Sequence, residues 1–109
     1  MTEWTEIIEL EAIPRLGARI LRTDTMDIAV FRTAKDEVFA LRDRCPHRGG
    51  PLSQGIVHDN TVTCPLHNWK IDLDSGEALS PDEGCAHRFS ARVEDGKVYL
   101  ELSVAAAVA

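Results

Sequence analysis

The spacing of apolar side chains along the chain predicts a protein built mainly of β-strands. Met26, Ile28 and Val30 are separated by single residues, which is the period of a strand with one buried face. A polar turn precedes this segment, and another follows it before a second apolar run. The segments with strand character are residues 18–23, 26–33, 38–41, 91–94 and 97–102.

Short signals near both ends of the chain support this interpretation. Asp95-Gly96 separates the last two segments, and such a pair favours a two-residue hairpin turn because both positions need positive φ. Residues 7–16 have room for one helical turn before Pro14 interrupts it. No long stretch has apolar residues at helical spacing. The sequence therefore predicts a small antiparallel all-β fold.

Residues 43–85 depart from the strand pattern. They contain all three cysteines, three of the four histidines and five of the seven glycines, and the alternation of apolar positions fades there. We expect loops that carry a site on a β scaffold. No repeat or linker composition divides the chain, so we expect one domain over residues 1–109, with a site-bearing subdomain at about 43–85.

Composition and charge exclude several classes of protein. A chain of 109 residues suits one domain that needs no disulfide staples. Twelve basic against eighteen acidic residues give a net charge of −6, which argues against a nucleic-acid partner. Three cysteines, an odd number, disfavour a secreted disulfide framework. We therefore expect free or metal-bound thiols.

Neither end of the chain predicts export or a membrane partner. The first residues are acidic, whereas a secretory signal has basic residues before an apolar run. The apolar residues 104–109 are far fewer than the roughly 20 that a membrane span requires. We expect a cytoplasmic protein.

Two short motifs have the spacing of metal ligands. Cys45-Pro46-His47 supplies one pair and Cys64-Pro65-Leu66-His67 supplies the other, with residues 48–63 between them. Two thiolates and two imidazoles can hold zinc or an iron–sulfur cluster. Zinc sites of this composition usually have the order Cys, Cys, His, His, so one pair from each loop favours a two-iron cluster. A non-redox zinc-binding interaction domain is the alternative.

The stretch Cys45–Leu52 together with Cys64–His67 resembles the cluster-binding motif of Rieske-type 2Fe–2S proteins. The resemblance implies a sandwich of three antiparallel β-sheets with the cluster at the tip of two loops. It also implies a cofactor that carries one electron at a time. The implied ligands are Cys45 and Cys64 for one iron and His47 and His67 for the other.

The resemblance also assigns neighbours to the cluster. Gly49, Gly50 and Gly55 would let backbone N–H groups approach the sulfides, because they carry no side chain. Leu52 and Leu66 would shield the cluster from water.

A third loop is implied by the same resemblance. Pro81 falls where a proline loop of the family covers the cluster, and Cys85 follows as a spare thiol that we expect to be inert.

The reduction potential is expected to be low for this class. High-potential members donate hydroxyl groups from Ser and Tyr to the cluster at positions that Trp69 and Ile71 occupy here. The range for Rieske centres is about −150 to +300 mV, and we expect a value near its lower end or somewhat below it.

Within the family, Asn68-Trp69 and Asp82–Cys85 most resemble the small subunit of bacterial assimilatory NAD(P)H nitrite reductase. That resemblance implies a non-catalytic electron-transfer subunit in nitrate assimilation. Its large subunit would carry FAD, a 4Fe–4S cluster and sirohaem and would reduce nitrite to ammonium. The alternative is a Rieske ferredoxin of a ring-hydroxylating dioxygenase, although such ferredoxins usually have Gly where Asn68 stands.

Overall fold

Ten short β-strands dominate the computed structural model, which describes residues 4–23, 26–44, 51–65, 69–79 and 84–101. Two single-turn 3₁₀ helices complete it, at Leu10–Ala12 and Leu52–Gln54. Within those ranges no helix has the length and apolar character needed to cross a membrane. The strands are β1 (Trp4–Glu9), β2 (Gly17–Arg22), β3 (Asp27–Arg32), β4 (Val38–Arg42), β5 (Ile56–His58), β6 (Thr61–Thr63), β7 (Lys70–Asp72), β8 (Arg88–Phe89), β9 (Ala91–Glu94) and β10 (Lys97–Glu101).

These strands form three antiparallel sheets, which confirms the predicted all-β architecture. The terminal sheet has the order β1-β10-β9, the central sheet β2-β3-β4-β8, and the loop sheet β5-β6-β7. The hairpin turn predicted at Asp95-Gly96 is present, with φ of 52° and 74° at its two residues. The helical turn expected within residues 7–16 is the 3₁₀ helix Leu10–Ala12.

Strand β3 is buried on both faces, whereas its alternating pattern predicted one buried face. Ile28 and Val30 pack in one apolar cluster with the inner face of β10. Ala29 and Phe31 pack in a second cluster beneath the loop sheet. The prediction of a half-buried strand was wrong because the two faces of β3 pack against two different apolar clusters. The second cluster, the loop-sheet cluster, comprises Ala29, Phe31, Leu41, Leu52, Val57, Val62, Cys64, Ile71, Leu73 and Ala86.

A buried arginine fixes the turn between β3 and β4. The guanidinium of Arg32 donates to the carbonyl oxygens of Leu10 (3.2 Å) and Ile13 (2.9 Å), and its Nε donates to Asp36 at 3.0 Å. The side chain of Arg15 donates to the same carboxylate at 2.9 Å. Because these bonds join the 3₁₀ helix at Leu10–Ala12 to the turn, they hold one end of the central sheet together.

We expect Asp36→Asn to reduce thermal stability modestly at neutral pH and to have little effect in acid. Hydrogen bonds from Arg15 and Arg32 hold the pKa of Asp36 below its usual value. A carboxylate whose folded-state pKa is depressed stabilises the protein above its unfolded pKa of about 3.9, and that contribution disappears as the pH falls through the folded-state pKa. Thermal unfolding of both proteins between pH 7 and pH 2 measures this. An equal gap between the two melting temperatures across that range contradicts it.

Candidate metal centre

The loop that contains the second predicted motif is closed at its base. The hairpin β6–β7 pairs Thr63 with Lys70, and beyond that pair the N–H of Cys64 donates to the carbonyl oxygen of Trp69 at 2.7 Å. Cys64 is a free thiol with only 1% of its surface exposed, in the loop-sheet cluster. The structure therefore fixes Cys64 where the loop leaves the sheet. Leu66 and His67, also predicted for the site, lie outside the described residues.

The loop that contains the first motif is closed by a side chain. Ser53 donates its backbone N–H to Asp43 Oδ1 at 2.7 Å and its hydroxyl to Asp43 Oδ2 at 2.8 Å. The N–H of Asp43 donates to the carbonyl oxygen of Asp27 at 2.8 Å, so this end of the loop continues the central sheet. Leu52 is fully buried in the loop-sheet cluster. The predicted residues Cys45, His47, Gly49 and Gly50 lie outside the described part of the chain.

A third loop begins and ends beside the second. The N–H of Ala78 donates to the carbonyl oxygen of Gly84, and the N–H of Leu79 donates to that of Lys70, both at 2.8 Å. Because Lys70 starts β7, the third loop leaves the fold next to the base of the second one. Cys85 follows with an exposed free thiol. Pro81, predicted to cover the cluster, is among the residues that the structure does not describe.

Gly55 joins the first loop to the second by close packing. A Cβ on this residue would lie 2.3 Å from the carbonyl oxygen of Thr63 and 2.9 Å from Cγ2 of Val62. The N–H of Gly55 donates to the carbonyl oxygen of Leu52 at 2.9 Å. The sequence predicted that the N–H of Gly55 approaches a cluster sulfide, whereas in the structure it donates to Leu52. Gly55 is needed here because it has no side chain, which lets Leu52–Gln54 pack against β6.

The described part of this site fits a metal cluster held between loops. Cys64 is a buried free thiol and so a suitable soft ligand, and apolar Leu52 and Trp69 pack in or against the same cluster. Leu52 is fully buried there, and its role in shielding a cluster from water stays a prediction. A 2Fe–2S cluster held by two Cys and two His would supply reversible uptake of one electron. Of the four predicted ligands, Cys64 is the one that the structure describes.

The other two histidines have structural positions. His58 ends β5 beside the Asp59-Asn60 turn, as predicted. His87 packs edge-on against Phe89, with ring centroids 4.7 Å apart. Burial, and to a lesser extent the charge of Arg42, lower the pKa of His87, which favours its neutral form.

The bases of all three loops lie at one end of a three-sheet β protein, which is the arrangement of a small β domain that carries a site on loops. The comparison with protein families gives the particular family. Residues 3–101 match the model of the Rieske-like 2Fe–2S domain, and the chain belongs to this family. This confirms the predicted cofactor class, a Rieske-type 2Fe–2S cluster.

Two relatives of similar length are named as ferredoxin subunits of dioxygenases. The chain is 37% identical over 99 residues to the 3-phenylpropionate/cinnamic acid dioxygenase ferredoxin subunit of Photorhabdus laumondii, with 89% of this chain and 92% of the relative covered. It is 42% identical over 76 residues to the anthranilate 1,2-dioxygenase ferredoxin subunit of Burkholderia cepacia, with 69% of each chain covered. A 4β-methylsterol monooxygenase of Methylococcus capsulatus is 54% identical over 46 residues, but those residues are 12% of that protein and 42% of this chain.

Solved structures confirm the fold. A protein of Mycobacterium tuberculosis assigned as an NADH-dependent nitrite reductase small subunit superposes with a TM-score of 0.82 at 23% identity, covering 92% of this chain and 95% of the other. The ferredoxin of carbazole 1,9a-dioxygenase from Nocardioides aromaticivorans superposes with a TM-score of 0.79 at 20% identity, covering 89% and 95%. The same fold thus serves proteins of both kinds.

We expect Gly55→Ala to destabilise the protein by about 1–3 kcal/mol, the usual cost of overpacking. The new methyl group would overlap the backbone of Thr63, so Leu52–Gln54 or β6 must move. We expect a lower melting temperature and a lower iron content, which are measured by thermal unfolding and by iron analysis of the purified protein.

The matched control is Gly96→Ala, where a Cβ meets nothing within 4 Å but φ is +74°. It should cost about 1–2 kcal/mol from backbone conformation alone, with full iron content. Equal iron content in both variants would contradict a role for Gly55 at the loop bases.

Proposed function

We propose that this Rieske electron-carrier domain is a ferredoxin that passes single electrons to the oxygenase component of a ring-hydroxylating dioxygenase. The observation that carries the proposal is its likeness to dioxygenase ferredoxin subunits, at 37% identity over 92% of one such relative. The relative is a separate ferredoxin subunit of nearly the same length. The proposal therefore needs a larger oxidoreductase partner, to which this chain brings the electron.

The position of the loops supports a carrier rather than a substrate-binding enzyme. The loop bases lie at the end of the molecule where β4 ends and β7 begins. Lys70 and Leu79 are exposed beside them. A groove of about 460 Å³ lies elsewhere, against the turn at residues 33–37 and the Asp59-Asn60 turn. The five-residue strand β4, about 17 Å long, separates that turn from Asp43. The groove also touches Thr61 and Asp72, so it opens at the ends of β6 and β7 opposite to the second loop.

A low reduction potential is part of the proposal. Ile71 is fully buried in the loop-sheet cluster, and Trp69 packs against that cluster. Neither side chain can donate a hydroxyl hydrogen bond, and hydrogen bonds to the cluster sulfurs raise the potential of such centres. We also infer a cytoplasmic location, because three cysteines, an odd number, disfavour a secreted disulfide framework.

The nitrite reductase small subunit is the second candidate. Asn68-Trp69 and the Gly84-Cys85 end of the third loop favour it. In that case the partner is a large subunit with FAD, a 4Fe–4S cluster and sirohaem, and the same domain supplies electrons for the reduction of nitrite to ammonium. The solved small subunits share the fold, with TM-scores of 0.80 and 0.82.

We expect Cys45→Ser, Cys64→Ser and His67→Cys each to abolish the wild-type cluster spectrum. Each change removes one of the proposed ligands, and the cluster needs all four. Visible absorption and electron paramagnetic resonance of the reduced protein measure the result. Cys85→Ser is the matched control and should keep the wild-type spectra, because Cys85 is an exposed thiol at the end of the third loop. A colourless wild-type protein with stoichiometric zinc would contradict the cluster.

We expect the dithionite-reduced protein to be reoxidised by the oxygenase of 3-phenylpropionate dioxygenase, with association rate constants of about 10⁵–10⁷ M⁻¹s⁻¹. Stopped-flow absorption measures this step, and turnover of 3-phenylpropionate measures the complete chain. The positive control is the ferredoxin of that dioxygenase. Failure with the oxygenase, together with restored nitrite reduction when the chain is mixed with a nitrite reductase large subunit, would replace this proposal with the second candidate.

A further inference from the structure

We propose that Asp43 and Ser53 form a positioning clamp that sets the geometry of the first cluster loop. Through that loop, the clamp controls how long the cluster is retained and at what potential it is reduced. The inference rests on the proposed role of Cys45 and His47 as ligands, and it assigns a function to two residues outside the proposed ligand set.

The two contacts use both oxygens of one carboxylate. Ser53 donates its N–H to Oδ1 of Asp43 at 2.7 Å and its hydroxyl to Oδ2 at 2.8 Å. Both distances are short, as is typical of hydrogen bonds to a charged acceptor. A pair of bonds on one planar group fixes direction as well as separation, so Ser53 has little freedom to rotate or slide relative to Asp43.

Each side of the clamp is anchored in a different part of the fold. Asp43 extends the central sheet by one rung, since its N–H donates to the carbonyl oxygen of Asp27 at 2.8 Å. Ser53 lies in the 3₁₀ helix Leu52–Gln54, next to the fully buried Leu52. Gly55 then packs against β6. The clamp therefore joins the end of β4, in the central sheet, to the segment that packs against the loop sheet.

The clamp is close enough to the proposed ligands to control their position. Cys45 is two residues and His47 four residues after Asp43, so only a few rotatable backbone bonds separate them from a fixed point. Groups that orient the ligands of a metal are worth roughly 10–100-fold in affinity or activity. Loss of the clamp removes the fixed point on the Asp43 side and leaves the buried Leu52 as the anchor at the far side of this loop.

The opposite end of β4 provides a matched control. Asp36 precedes β4 and also accepts side-chain hydrogen bonds, from Arg15 and Arg32. Asp36→Ala removes a carboxylate from a network of comparable size about 17 Å from Asp43, the length of β4. It destabilises the fold but leaves the base of the first loop intact.

The experiment compares the cluster-loaded wild type with Asp43→Ala, Ser53→Ala, Ser53→Thr and Asp36→Ala. Three measurements are made: the half-life of the cluster with excess chelator, the midpoint potential by protein-film voltammetry, and the g-values of the reduced cluster. Thermal unfolding of each protein reports overall stability. The wild-type potential is expected below zero.

We expect Ser53→Ala to shorten the half-life about fivefold, the equivalent of one lost hydrogen bond. Asp43→Ala, which loses both bonds, should shorten it more than tenfold and shift the g-values and the potential. Ser53→Thr keeps the hydroxyl and should restore wild-type behaviour. Asp36→Ala should lower the melting temperature and leave the potential and g-values unchanged. If Asp43→Ala does not fold, Ser53→Ala and its Thr rescue still decide the question.

Two results overturn the proposal. In one, Ser53→Ala and Asp43→Ala keep the wild-type half-life, potential and g-values. In the other, all variants including Asp36→Ala lose the cluster in proportion to their melting temperatures, so that the clamp contributes only to general stability. The ligand assignment fails separately, if Cys45→Ser keeps the wild-type cluster spectrum, and the clamp then loses the loop ligands through which it acts.

Discussion

The burial of β3 on both faces is the constraint on which the rest of the structure depends. Ile28 and Val30 pack towards the terminal sheet, and Ala29 and Phe31 pack towards the loop sheet. One strand thus belongs to two cores, and it fixes the positions of both outer sheets relative to the central one. Strand β4 pairs with β3 and is held in place by it. The position of Asp43, the residue after β4, is therefore fixed as well.

The bases of the loops are hydrogen-bonded parts of the fold, and the proposed cluster ligands follow from them along the chain. Each base is closed by a hydrogen bond of 2.7–2.8 Å, to Asp43, Trp69 or Gly84. Cys64, a proposed ligand, lies at such a base and is itself part of the apolar core. A metal site is positioned most accurately by groups whose own geometry is locked by packing and hydrogen bonds. The packing of the core therefore also holds Cys64, the proposed ligand that the structure describes, in place.

The parts of the fold that the sequence predicted have a local signal. The ligand motifs depend on residue identity and spacing, and Asp95-Gly96 depends on backbone preferences of two residues. By contrast, β5, β6 and β7 have three residues each, too few to show an alternation, so residues 43–85 were expected to be loops. The bond between Asp43 and Ser53 spans ten residues and follows no period. Only the folded chain brings that pair together.

The fold alone does not choose between the two candidate partners, because proteins of both kinds superpose with TM-scores near 0.8. Both candidate functions also use the same kind of cluster. A preference for one partner must therefore come from the surface around the loops. On the outer face of the loop sheet, Ile56 is 70% exposed and Lys70 lies in the same cross-strand row. Leu79 continues that row, since its N–H donates to the carbonyl oxygen of Lys70. Because these positions are exposed, changes there that suit one partner or the other leave both cores, and with them β3 and the loop bases, unaltered.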